Sequence, residues 1–115
     1  MLAQANRLVK KRDFETIFKA GETTKGDFFI LKVLKSQSEY SRFGFVVSKK
    51  ISNKATIRNT IKRRLRKAVS DQLKNIKNQV DVVIIALPNI RKADFFQIEG
   101  EISKIFKKAK LVLSI

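Results

Sequence analysis

Ten basic side chains and no acidic one lie between Tyr40 and Ser70: Arg42, Lys49, Lys50, Lys54, Arg58, Lys62, Arg63, Arg64, Arg66 and Lys67. Cations at this density do one kind of chemistry well. They neutralise phosphates, and the planar guanidinium does so through paired hydrogen bonds. A solvated helix usually interleaves signs to gain i, i+4 pairs. This stretch forgoes them and accepts self-repulsion, which points to a partner that supplies the anions. The other conspicuous groups are aromatic. Phe14 and Phe18 stand four residues apart among nine phenylalanines, a spacing that by itself reads as core packing on a helix.

The rest of the inventory removes whole classes of activity. The chain has neither Cys nor His. That excludes a disulfide scaffold, a Cys-type zinc site, a thiol nucleophile and a His-based relay. No carboxylate cluster stands out for two-metal chemistry, so no catalytic residue and no metal ligand is assigned to the protein itself. The formal charge of +16 makes a polyanion the natural partner. No apolar run approaches the roughly 20 residues that span a bilayer, and Met1 to Asn6 lack the apolar stretch of a secretory signal. A length of 115 residues and 43% hydrophobic content suit a single folded domain over residues 1–115, soluble and cytoplasmic.

These side chains need elements to hold them. Lys10 to Ala20 reads as a short helix with Val9, Phe14, Ile17 and Phe18 near helical spacing and Gly21 as its stop. Asp27 to Lys35 and Arg42 to Ser48 read as strands. Thr23 and Thr24 fit either a further short strand or a loop. Thr56, as N-cap, opens a long helix to Lys77. On it Ile61, Leu65, Ala68, Val69, Leu73 and Ile76 gather on one side, with Asn59, Lys62, Arg63 and Arg66 on the adjoining side. Arg58 falls on the border and Arg64 on another flank. Val80 to Leu87 is the continuous apolar run of a strand buried on both faces, and Ala93 to Lys110 is a last amphipathic helix. The order is that of an α+β sandwich.

The residues also carry a family resemblance. Asn6-Arg7-Leu8 with Asp13-Phe14, Ile17-Phe18 and Gly21, then Gly44 with Val47-Ser48-Lys49-Lys50-Ile51, then Arg58-Asn59 with Ile61-Lys62-Arg63-Arg64-Leu65-Arg66, then Asp81 to Ala86 follow one another with the gaps of the protein subunit of bacterial ribonuclease P. The resemblance covers nearly the whole chain. It implies a two-layer α/β sandwich in α-β-β-β-α-β-α order, with a four-stranded sheet and a left-handed βαβ crossover. It implies an accessory subunit of a ribonucleoprotein endoribonuclease that removes the 5′ leader of precursor tRNA. The catalytic RNA would hold the Mg²⁺ ions that activate water, and the protein would be a monomer in a 1:1 complex.

Carried over residue by residue, the resemblance puts Lys49, Lys50, Arg58, Asn59, Lys62, Arg63 and Arg66 on the catalytic RNA. It puts Phe14, Phe18 and Lys32 on the leader. Phe28, Ile30 and Leu34 alternate with Lys32 and would line the same cleft, whereas Phe43, Phe45, Phe95 and Phe106 read as core. Three positions depart from common family patterns. Asn53 replaces a frequent Gly and would adopt the left-handed backbone of a turn. Thr60 replaces a frequent Arg, with loss of one phosphate contact. Lys32 replaces an aromatic residue, keeping charge but losing stacking. The rival readings are a general RNA-binding or ribosomal protein with no catalytic partner, a free-standing nuclease and a basic membrane-surface protein.

Overall fold

A computed structural model describes residues 3–36, 38–76 and 79–111. Helix α1 (Lys11–Ala20) precedes strands β1 (Glu22–Lys25), β2 (Phe29–Lys35) and β3 (Arg42–Val46). Helix α2 (Ala55–Gln72), strand β4 (Val80–Ala86) and helix α3 (Phe95–Lys108) follow. The strands form one sheet in the order β1-β2-β4-β3. β2 is antiparallel to both β1 and β4, and β3 is parallel to β4, joined to it by α2.

Alternation along the strands builds two apolar layers. On one face Phe29, Leu31, Phe43, Val82 and Ile84 meet Leu65, Ala68 and Val69 of α2 and Ile98, Ile102 and Phe106 of α3. On the other, Val83 meets Leu8 and Ile17, with Phe14, Leu34, Val46 and Ile85 packed around them. β4 serves both layers, which explains its unbroken apolar run. Helices α2 and α3 therefore back the sheet, and α1 crosses its opposite face.

Several boundaries differ from the pattern-based ones for identifiable reasons. Helix α2 starts at Ala55 with Lys54 as its cap, so Thr56 lies in the first turn. The Ser52 hydroxyl accepts from the Lys54 N–H (3.1 Å) and bends the chain into the helix before Thr56 is reached. Its far end tightens into a 3₁₀ turn at Leu73–Asn75, and the expected terminus Lys77 lies outside the described residues. Helix α3 opens at a capping box: Gln97 donates its N–H to Asp94 Oδ1 (2.8 Å), and Gln97 Oε1 accepts from the Asp94 N–H (2.9 Å). Val9 precedes α1 and is 76% exposed, not part of its apolar stripe. Thr23 and Thr24 belong to β1. Asn53 does not take the left-handed backbone; among the described residues Lys110 is the one non-glycine that does, at φ 63°.

Candidate RNA interface

Helix α2 presents the cationic plate. Ile61, Leu65, Ala68 and Val69 are buried, and the side chains one step around the helix are not. Asn59, Arg63 and Arg66 are exposed and Arg58 and Lys62 are half-buried. Among the described residues the ion pairs take Lys11, Arg42 and Lys67, and no cation of this plate. Two plate residues are held in place by other means. Arg66 lies 5.9 Å from the Phe45 ring centroid, a cation–π contact that steers the guanidinium over the β3 edge. Arg58 donates through Nη1 to the Ser52 carbonyl (2.9 Å). That bond ties the loop carrying Lys49 and Lys50 to the first turn of α2. The loop itself is a tight turn closed by Ile51 N–H to the Ser48 carbonyl (3.0 Å), and both lysines project into solvent.

The second candidate surface lies across the sheet. Register partners share a face, so Thr23, Lys32, Val83 and Gly44 form one row and Lys25, Ile30, Ile85 and Val46 the next. Helix α1 lies over part of this face. Three contacts place it. Ile17 is buried against Val83. The Phe14 ring fills the space above Gly44, where a Cβ would come within 2.4 Å of the ring. Arg42 pairs with Asp81 through two hydrogen bonds (Nε to Oδ1 2.9 Å, Nη2 to Oδ2 2.7 Å) and reaches Asp13 of α1 at 3.4 Å. Donating to the Asp81 carboxylate raises the Arg42 pKa above its ordinary value. Beside α1, Ile30, Lys32, Val46 and Ile85 remain half-buried, and Phe18 is 40% exposed with its ring 6.5 Å from that of Phe14.

Phe14, Phe18 and Lys32 thus share one side of the sheet, and the α2 plate belongs to the layer behind it. Phe28 departs from the expected cleft lining: it packs against the main core, because the chain reverses at Gly26–Phe28 before β2 begins. Leu34 sits in the α1 layer, and Phe95 only lies against the core while Phe43 and Phe106 are inside it. Sequence reasoning missed Val46, Ile85 and Lys25 as members of the open rows. It also missed the Arg42–Asp81–Asp13 clamp. A lone acid inside the Val80 to Leu87 run was the available signal, since a buried carboxylate needs a partner.

A family profile for ribonuclease P matches residues 2–110. The chain belongs to the ribonuclease P protein family. The ribonuclease P protein component of Syntrophomonas wolfei is 36% identical over 111 residues, covering 96% of this chain and 92% of that one. Among solved ribonuclease P proteins, a Staphylococcus aureus mutant described as defective in mRNA degradation activity superposes with a TM-score of 0.87. It is 28% identical, over 94% of this chain and 91% of its own. The Thermotoga maritima protein gives a TM-score of 0.80 at 31% identity, over 89% and 96%. The α-β-β-β-α-β-α order is that of these ribonuclease P proteins. This places the chain in a tRNA-processing ribonucleoprotein as a ribonuclease P protein component.

Proposed function

We propose that this chain binds the ribonuclease P RNA through the α2 plate and the Lys49–Lys50 loop, and grips the 5′ leader of precursor tRNA through the α1-side face. The observation that carries this reading is the separation of two different surfaces by one sheet. One is dominated by cations, with the Phe45 ring covered by Arg66. The other joins Phe14 and Phe18 to Lys32, the pairing that suits a single strand: stacking for bases, charge for phosphates. Lys49, Lys50, Arg58, Lys62, Arg63 and Arg66 meet phosphates of the RNA subunit, and Asn59 adds a polar contact. Phe18 stacks on a leader base, while Phe14, wedged over Gly44, supports it.

In this reading the chemistry belongs to the RNA. Mg²⁺ bound by that RNA would supply the activation of water. Four of the protein's ten carboxylates are held in structural contacts: Asp13 and Asp81 with Arg42, Asp94 at its helix cap, and Glu101 on the N–H groups of Asp27 (2.9 Å) and Phe28 (2.7 Å). The protein acts as a monomer in a 1:1 cytoplasmic particle. It lowers phosphate repulsion between catalytic RNA and substrate and favours precursor over product.

Reconstitution tests this. Bacterial ribonuclease P RNA is assayed on precursor tRNA at low Mg²⁺, alone and with the protein, beside an arm with protein alone. The expected result is leader removal that the protein enhances in the presence of RNA. Efficient leader removal by protein alone would overturn the division of labour. Unchanged cleavage on adding protein would favour a general RNA-binding role. The protein-alone arm also receives mRNA, given the activity attributed to the Staphylococcus aureus neighbour.

A further inference from the structure

The sheet has two margins, β3 on one side and β1 on the other. The open row Val46, Ile85, Ile30 and Lys25 runs from the first to the second. It crosses three strand spacings, roughly 14 Å in all. At its far end Lys25 stands exposed on β1. Lys25 also lines a depression with Lys104 and Lys108 of α3, where the other charged side chains are Asp27 and Glu101. Lys104 and Lys108 are one turn apart, a like-charge spacing that destabilises a helix. Glu101 does not relieve them. Its two oxygens accept from the N–H groups of Asp27 and Phe28. The same carboxylate lies 2.9 Å from where a Gly26 Cβ would stand, so the β1–β2 turn seats closely on α3 and fixes Lys25 beside it. Cations outnumber acids here by three to two, and one of those acids is already engaged. None of the three lysines enters an ion pair among the described residues.

We propose that Lys25, Lys104 and Lys108 hold phosphates of the distal 5′ leader, the nucleotides that have already crossed the sheet. This inference rests on the leader reading above. The direction of travel follows from the two margins. Arg66 covers the Phe45 ring of β3, and the Lys49–Lys50 loop follows that strand, so the catalytic RNA sits at the β3 margin. The leader enters the open row there, at its end nearest the cleavage site. Nucleotides farther upstream leave over β1, where Lys25 passes them to Lys104 and Lys108. No aromatic ring lines the depression. Bases gain no stacking there, and the grip is on the backbone alone. The site therefore senses how long a leader is and not which bases it carries. A leader that ends on the sheet never reaches it.

The test uses precursor tRNAs whose leaders increase stepwise, from one that ends on the sheet to one that extends well past it. Each is bound to the reconstituted holoenzyme. The K104A/K108A variant keeps a strong helix former at both exposed positions, so α3 is retained. It should bind the short-leader precursor like the unaltered chain. The long-leader precursor should bind about five-fold more weakly, the size expected for two exposed ionic contacts. The salt slope for the long leader should also flatten by about 1.4, roughly 0.7 for each phosphate on a single strand. Unchanged affinity of K104A/K108A at every length, beside a clear loss in F18A, would overturn this site and leave the cleft standing. An F18A variant that binds every leader normally would remove the leader reading and this inference with it. A K104A/K108A loss that is equal for short and long leaders, or that appears with ribonuclease P RNA alone, would overturn the assigned occupant.

Discussion

Replacing Phe18 with alanine should weaken precursor tRNA binding about ten-fold, because stacking on one base contributes about 1–3 kcal/mol. Binding of ribonuclease P RNA alone should stay unchanged, and the two affinities can be measured separately. Arg63→Ala and Arg66→Ala should do the reverse, weakening assembly with the RNA before any effect on leader binding appears. If both kinds of variant behave alike, the two surfaces are not distinct. Gly44 tests support, not contact. A methyl group there meets the Phe14 ring at 2.4 Å, and overpacking of this kind costs about 1–3 kcal/mol. Gly44→Ala should therefore lower the thermal midpoint and also shift α1. Lys110 runs the other way. It holds a left-handed φ of 63° after α3, where glycine is at ease. Lys110→Gly should raise stability by about 0.5–1 kcal/mol, read by denaturant melts.

Among elements, α1 is the one whose position is most specified by a single polar cluster. Arg42 links Asp13 on the helix to Asp81 on β4. Arg42→Ala leaves the Asp81 carboxylate, only 8% exposed, without its partner. Losing one member of a buried pair costs about 3 kcal/mol, and chemical denaturation should register that. Arg42→Met tests whether shape alone suffices to hold α1.

The elements themselves were largely readable from residue patterns. The apolar period of α2, the β-branched run of β4 and the aromatic alternation in β3 each announced their structure. What patterns did not carry was pairing across the chain. Arg42 meets Asp81 only because β3 runs parallel to β4 in that register, and no local window contains that fact. The same holds for Phe28. Its alternation with Ile30 suggests a shared face, but the turn ahead of β2, held by Glu101, rotates it against the core of the other layer. Candidate site residues on α2 were legible because an unpaired cationic face is visible on a helical wheel. Val46 and Ile85 were not, since a half-open strand face and a closed one share the same apolar letters.

For the molecule as a whole, the charge of +16 should make assembly with RNA strongly salt-dependent. A plot of log affinity against log salt concentration should fall steeply, with a shallower line for R63A/R66A. A salt-insensitive affinity would mean that phosphate neutralisation is not what joins the two subunits.

β4 is the shared wall of both apolar layers, with Val82 and Ile84 facing one and Val83 the other. Withdrawing that strand dissolves the bed beneath α2 and the bed beneath α1 together. Melting that begins at β4 therefore loosens α1 and α2 at the same time. Amide protons of Val82 to Ile84 should then exchange only through complete unfolding, whereas those of α1 are free to exchange by local opening.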